Sequence, residues 1–389
     1  MSRKFARNTF SLIVLAVTVL VMAGCGTPAA TTAAPVATTA ASAVPPTVAP
    51  ATTAVGIVLP TKSEPRWLQD QAGFNDAMQA SGIKAEMLFS ELSSATEKTN
   101  VESLLSKGIK VLILCPQDAK AAAAAADEAH AAGVKVISYD RLILGTANVD
   151  YYVTFDSMAV GANQAQYLID HATGKNNPLY LYAGALTDNN AFIFFEGAWE
   201  KLQPKIADGT FVIKNSSTAV SLQSNPKLTH DQESQIIGQI TTDWKFDVAK
   251  TLAEANLTAA SAADKGNVFI LAPNDGTARS IADAFAADKD VTKYYVTGQD
   301  AEKASVQYII DGKQSMTVWK NTRTLAKTAL DAANALLKGT APAATTTYNN
   351  GNVDVPSLQS PVVVVTQDNI KDTLIAGGAF QLSDFTGLK

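Results

Sequence analysis

From Val55 to the C-terminus, short apolar runs alternate with segments of helical period, and few architectures accept that alternation. The runs read as strands at Val55–Leu59, Lys110–Leu114, Lys135–Tyr139, Leu179–Ala183, Phe211–Lys214, Asn267–Leu271 and Tyr294–Thr297. They are continuous rather than alternating, the pattern of parallel strands covered on both faces. Helices are expected at Arg66–Ala80, Thr96–Lys107, Ala119–Ala132, Ala159–His171, Phe192–Leu202, Phe246–Ala255, Thr277–Ala286 and Thr322–Leu337. Gly108 and Gly133 each stand two residues ahead of a strand, where a glycine can close the preceding helix. Repeated βαβ units predict α/β domains with doubly wound parallel sheets. The stretch is too long for one hydrophobic core, so two domains are expected.

Sheets of this kind bind ligands beyond the carboxyl ends of their strands. The residues in those places are Lys62 with Arg66 and Trp67, Gln117 with Asp118, and Asp140 with Arg141. Further along come Asp188 with Asn189 and Asn190, Asn274 with Asp275, and Gln299 with Asp300. No GxGxxG or GxxxxGK[ST] stands at any of these turns, which disfavours a nucleotide. Aspartates accept hydrogen bonds, Arg and Lys donate them, and Asn does both, a mixture suited to a ring of hydroxyls. Bonds to the charged groups are the stronger ones. Trp67 and Trp244, one from each half of the chain, can cover the apolar C–H faces of a sugar ring.

Plainer readings compete with each of these. Asp140 and Arg141 could be a surface pair of little consequence. Asn274-Asp275-Gly276 is also a turn and helix N-cap, with the capping role expected at Asp275 or Gly276. Trp244 could pack in the core, and Lys320, after Met316-Thr317-Val318-Trp319, could be a solvated strand end. Trp199 reads as core, and the alanine run 121–126 as a helix former without chemistry.

The N-terminus carries Arg3, Lys4 and Arg7 with no acid, an apolar run from Phe10 to Ala23, then Gly24-Cys25. A basic start, a short apolar stretch and small residues describe an export signal; the run is shorter than the ~20 residues of a membrane span. Val21-Met22-Ala23-Gly24-Cys25 resembles a bacterial lipobox, so residues 1–24 are expected to be a signal peptide and Cys25 a lipidated, membrane-anchored N-terminus. Residues 25–54 read as a tether, since Thr27 to Ala54 contain only Thr, Ala, Pro, Val and Ser and cannot bury a core. The whole chain has 31 Lys+Arg against 36 Asp+Glu. Losing the three basic residues of the signal leaves a formal charge of −8, which argues against nucleic acid. Cys115 is then the one remaining cysteine and reads as strand packing. His130, His171 and His230 match no metal spacing and no calcium-loop run is present, so neither metal nor cofactor is expected.

Several stretches stand in one order along the chain: Val55-Gly56-Ile57 through Pro60-Thr61-Lys62-Ser63 and Arg66-Trp67, Val136 to Ile143, Tyr151 to Asp156, and Asp188-Asn189-Asn190-Ala191. Pro273-Asn274-Asp275-Gly276, Gly298-Gln299-Asp300-Ala301 and Met316 to Lys320 follow. In these the chain resembles the periplasmic sugar-binding proteins of ABC importers, in the xylose-binding and multiple-sugar-binding branch of the ribose/galactose type (type I). The resemblance implies two doubly wound lobes joined by a three-strand hinge. Residues 55–157 plus 316–352 would form the N-terminal lobe, and 158–315 plus 353–389 the C-terminal one. It implies a monosaccharide held by Lys62, Arg66, Asp140 and Arg141 from the first lobe and Asp188, Asn190, Asn274 and Asp300 from the second. Lys320 would sit near the hinge, with Trp67 and Trp244 on either side of the ring. D-xylose is expected first and glucose or galactose next, delivered by a monomer to an ABC permease at the periplasmic or outer face of the membrane. A sugar receptor for chemosensory or two-component signalling is the alternative. A glycosidase would need a carboxyl of raised pKa, which Arg141 beside Asp140 opposes. A repressor of this fold would carry a helix-turn-helix where the signal and tether stand. The stretch Ser216 to Thr242 matches no part of the family pattern.

Overall fold

The computed structural model describes residues 53–388; the expected signal, Cys25 and the tether up to residue 52 lie outside them. In chain order the first stretch is β1 (Val55–Leu59), α1 (Pro65–Ser81), β2 (Ala85–Phe89), α2 (Ser94–Ser106), β3 (Val111–Leu114), α3 (Ala123–Ala131), β4 (Lys135–Tyr139) and β5 (Tyr151–Phe155). The second is α4 (Ser157–His171), β6 (Asn177–Leu181), α5 (Asn189–Ala207), β7 (Phe211–Ile213), α6 (Ser217–Ser221), α7 (His230–Ile240), α8 (Phe246–Ala259), β8 (Gly266–Leu271), α9 (Asp275–Ala287), β9 (Val291–Val296), α10 (Lys303–Ile310) and β10 (Thr317–Trp319). α11 (Thr322–Leu337), β11 (Thr346–Asn349), β12 (Asp354–Ser360) and β13 (Val363–Val365) follow.

Two sheets organise two lobes. The first has the order β11-β12-β5-β4-β3-β1-β2, parallel except for the β11–β12 pair. The second is β7-β6-β8-β9, parallel throughout. Each sheet is buried on both faces: Ile57, Phe74 and Leu325 belong to the cluster on one side of the first sheet and Val58, Leu104 and Val136 to that on the other. The chain crosses between lobes three times. After β5 it enters α4, which packs along α5; after β10 it returns through α11, which packs along α1; the last crossing joins β12 to β13.

The crossings correct two of the expected boundaries. β10 stays with the second lobe, because the Val318 N–H donates to Gly298 O (2.9 Å) and the Asp300 N–H to Val318 O (2.9 Å). The return therefore follows Trp319 and does not precede Met316. β12 adds in parallel to β5, with Ser357 opposite Tyr152, so the third crossing follows Ser360 rather than residue 352. β2 escapes the sequence pattern because Ala85-Glu86-Met87-Leu88-Phe89 is a half-buried edge strand. The unmatched stretch 216–242 holds α6 and α7. A reciprocal capping box between Thr229 and Gln232 starts α7, and Ile236, Ile237 and Ile240 bury its apolar face. α3 begins at Ala123, not Ala119, because Asp118 Oδ1 first accepts the Lys120 and Ala121 N–H groups (both 2.9 Å) in a turn. Among the described residues no helix is long and apolar enough to cross a membrane.

Candidate ligand-binding site

The loop after β1 and the first turn of α1 deliver Glu64, Arg66 and Trp67 into the cleft, with Pro65 fixing that turn. Arg66 is buried, and each of its three guanidinium nitrogens meets a carboxylate. Its Nε donates to Asp70 Oδ2 at 2.6 Å and its Nη2 to Asp70 Oδ1 at 3.3 Å, one turn along the helix. Nη2 also reaches Asp140 Oδ2 at 2.7 Å, and Nη1 reaches Asp300 Oδ1, from the second lobe, at 3.2 Å. Lys320 Nζ lies 2.9 Å from that same Asp300 oxygen. The Tyr139 hydroxyl donates to Asp70 from behind. Trp67 has Arg66 and Arg141 each 5.0 Å from its ring centre, and its Nε1 donates to Glu64 Oε2 at 3.1 Å.

Adjacent residues of a strand point to opposite faces, yet Asp140 and Arg141 both face the cavity. Asp140 achieves this at φ 59°, in a tight turn closed by the Arg141 N–H donating to Tyr139 O at 2.6 Å. A non-glycine residue there costs about 1–3 kcal/mol. Three donors onto the Asp140 carbonyl hold the turn: Tyr152 Oη (2.7 Å), Thr154 Oγ1 (3.2 Å) and, from the other lobe, Asn190 Nδ2 (2.9 Å). Arg141 Nε then meets Asp188 Oδ2, again across the cleft, at 2.9 Å. Burial works to raise the Asp140 pKa, but the charges of Arg66, Lys320 and Arg141 outweigh it and hold the carboxyl below its ordinary range. The sequence neighbour Arg141 is thus the lesser of the cations acting on Asp140. Burial pushes the Glu64 carboxyl up, against Arg141 and the Trp67 hydrogen bond.

Glu97 supports this wall. Its Oε2 accepts the Gln117 N–H at 2.6 Å, next to Pro116, whose carbonyl accepts from Arg141 Nη1 at 3.4 Å. Burial pushes Glu97 up to about 7. The folded protein therefore keeps this proton where the unfolded chain has lost it. Stability from Glu97 is full below pH 4.5 and is given up as pH rises toward 7. The melting temperature of the sugar-free protein is expected to fall between pH 5 and 7, with Glu97→Gln removing part of that slope, at most about 3 kcal/mol. An identical slope in wild type and variant would refute the assignment.

In the second lobe, Asp188 caps α5 through the Asn190 N–H (2.9 Å) and Asn274 caps α9 through the Thr277 N–H (3.3 Å). The cap of α9 is therefore Asn274 and not Asp275 or Gly276, where it was expected, and Asn274 lines the cavity as well. Trp244 stands on a backbone at φ 60°, after Asp243 at φ 50°. Its ring lies edge-to-face on Phe194, centroids 6.4 Å apart. It fits because residue 184 is glycine: a Cβ there would lie 2.0 Å from the indole. Gly184→Ala is expected to push Trp244 out of line and to weaken sugar binding about tenfold, the order of one apolar ring face. Titration of a variant that still folds cooperatively checks this, and unchanged affinity would remove Trp244 from the site.

These groups line a narrow cavity between the lobes, with about 30 Å³ of open space. Arg66, Trp67, Asp140, Arg141, Asp188, Asn190, Trp244, Asn274, Asp300 and Lys320 all line it. Lys62 does not: it is exposed, with its ammonium 4.8 Å above the Phe89 ring, and is withdrawn from the site. Glu64 and Phe194 line the cavity without having been singled out, and Gln299, named only for its place at a strand end, lines it too. Asp70, four residues after Arg66, was legible as a helical partner; nothing in the sequence pointed Glu64 or Phe194 inward. Among the described residues no cluster of three or more His, Cys, Asp or Glu could hold a metal ion.

Two sheet-based lobes with ion pairs crossing a closed polar cleft define a two-lobed solute receptor. The chain belongs to the periplasmic binding protein family, whose domain profile matches residues 55–341, a family of non-enzymatic transport receptors. It is 34% identical over 341 residues to the multiple sugar-binding periplasmic receptor ChvE of Rhizobium radiobacter, covering 84% of this chain and 90% of that protein. It is 30% identical to the D-xylose-binding periplasmic protein of Escherichia coli K12, covering 85% and 92%. The crystal structure of a carbohydrate transporter solute-binding protein from Chloroflexus aurantiacus, in complex with D-glucose, superposes with a TM-score of 0.86. It is 70% identical and covers 86% of this chain and 99% of that one.

Proposed function

We propose that this protein is the extracytoplasmic receptor of an ABC importer for an aldopyranose, D-glucose first and D-xylose next, anchored at the outer face of the membrane through an acylated Cys25. The observation that carries the reading is the lining of the cavity. Its cations are already matched by acids: Arg66 by Asp140 and Asp300, Arg141 by Asp188, Lys320 by Asp300. No unpaired cation is left over to call for an anionic ligand, while two tryptophans and a set of charge-assisted donors and acceptors suit an uncharged polyol. Sequence resemblance alone puts xylose ahead. A relative of 70% identity in complex with D-glucose and a second, 30% identical, from Clostridium phytofermentans with bound β-D-glucose support moving D-glucose to the front.

Capture follows from the placement of the groups. A sugar touching Arg66 and Asp140 on one side and Asn190 and Asn274 on the other favours the closed arrangement by its differential affinity for it. The permease reads the closed arrangement. Calorimetric titration of the mature chain with D-glucose, D-xylose, D-galactose, L-arabinose and D-ribose tests the reading. D-glucose should bind tightest and be recovered unchanged; a chain that binds none of the five is not a monosaccharide receptor. Mass spectrometry of the N-terminal fragment decides the anchor: an unmodified Cys25 removes it.

A further inference from the structure

Two residues that line the cavity each carry a buried side-chain polar atom without a partner: the acceptor Gln299 Oε1 and the donor Trp244 Nε1. Both are buried, and a buried polar group left unpaired is costly enough to be uncommon. We propose that Gln299 and the indole N–H of Trp244 are specificity-determining ligand contacts, Gln299 accepting one sugar hydroxyl and Trp244 donating to a sugar oxygen. The proposal rests on the monosaccharide reading above and gives polar roles to Gln299, named so far only for its place at a strand end, and to Trp244, read so far only for its apolar ring face.

The orientation of the Gln299 amide is decided by its surroundings. Nε2 donates to Pro273 O at 2.6 Å; turned over, the amide would set oxygen against oxygen, so Oε1 is the atom left free. The backbone is equally fixed, since Gln299 O accepts the Asp275 N–H at 3.0 Å and Gln299 bridges to Val318. Gln299 thereby ties together the two loops that carry Asn274 and Asp300, and its Oε1 cannot rotate away to find another donor. Trp244 is held as firmly, by the left-handed backbone at residues 243 and 244 and the space left by Gly184. A strained backbone that holds a cavity-lining residue with an unpaired donor is what a ligand contact looks like before the ligand arrives. A hydroxyl both donates and accepts, so a sugar can serve either atom. A ligand lacking the hydroxyl leaves the unpaired cost in place, which makes these contacts selective.

The test is a set of titrations of the full mature chain with D-glucose and its 2-, 3-, 4- and 6-deoxy analogues, in wild type, Gln299→Met and Trp244→Phe. Each substitution keeps the shape or the apolar face and removes one polar contact. Each is expected to weaken D-glucose about tenfold. For each there should be one deoxy analogue, lacking the partner hydroxyl, that wild type and variant bind within about twofold of each other. A variant that weakens all five sugars by the same factor acts through packing, and that result overturns the proposal for its residue. So does undiminished affinity for D-glucose. If wild type binds D-glucose and both variants behave in these ways, the contacts fail while the sugar reading stands; a wild type that binds none of the panel ends both. Should Gln299→Met fail to fold, Trp244→Phe still decides the indole contact. The Trp244 Nε1–H proton resonance, expected to move downfield on adding D-glucose, is a second measure, and a resonance that stays put overturns the contact.

Discussion

Arg66→Met is expected to abolish monosaccharide binding and to lower the stability of the sugar-free protein by about 3–5 kcal/mol. Few single changes in this chain would leave so much buried charge unmatched. The guanidinium holds Asp70, Asp140 and Asp300 at once, all inside the cleft wall and nearly sealed from water. Methionine fills much of the same volume but leaves three carboxylates to repel one another, with Lys320 the remaining cation at Asp300. Pairing Arg66→Met with Asp70→Asn separates the two effects. The double variant should regain part of the lost stability, because one unmatched acid is gone, and none of the binding, because Asp140 and Asp300 still lack their partner. Thermal unfolding and calorimetry read the two outcomes. Binding of D-glucose within about tenfold of wild type by Arg66→Met would falsify the assignment of Arg66 as the centre of the site.

The second large effect lies outside the cavity. Gly161→Ala is expected to destabilise the second lobe by about 3 kcal/mol or more, the range of severe overpacking. Helix propensity alone predicts the opposite sign, since alanine is preferred to glycine inside a helix by about 1 kcal/mol. The reversal comes from how α4 meets α5. A Cβ on Gly161 would lie 1.8 Å from the Phe194 carbonyl oxygen, and one on Gly197 would lie 2.2 Å from that of Met158. The obstacle in both cases is backbone, which cannot rotate aside. Gly238 in α7 is the control: a Cβ there meets nothing nearer than a Leu186 methyl at 4.0 Å, so Gly238→Ala should be neutral or stabilising. Denaturant unfolding of the two variants tests the pair, and equal stability of Gly161→Ala and wild type would mean that the helices can separate freely. Because Phe194 also lines the cavity, Gly161→Ala should weaken sugar binding as well.

The parallel strands were legible because burial on both faces writes itself as an unbroken apolar run; β1, β3 and β4 stand where they were expected. β2 was not, since an edge strand need satisfy only part of that rule. Nothing in Asp354 to Ser360 says which of two sheets it will join, because β12 is specified by its partner β5, far away in the chain. Within the site, charge and position picked out Arg66, Asp140, Arg141 and Asp188 correctly as cavity residues, but not how they work. That Asp140 and Arg141 share one side depends on a positive φ, and a sequence carries no mark for it at an aspartate. Lys62 failed for a related reason: an exposed lysine and a buried one have the same letter, and the loop turns this one out over Phe89. Gln299 stood in plain view at a strand end and was passed over for its charged neighbour Asp300.

The late arrival of β12 bears on how the chain is made. Tyr152 of β5 pairs with Ser357, about 200 residues further on, and everything between them except α11 and β11 is built into the other lobe. A ribosome therefore finishes β1 to β5 and then α4 to β10 long before the strand that covers β5 exists. Until it does, β5 offers a free row of backbone donors and acceptors, the kind of edge that invites pairing with another chain, and contacts this distant form slowly. The delay leaves the first lobe's sheet incomplete until β12 is made, and only β13 and the C-terminal stretch of the second lobe follow it.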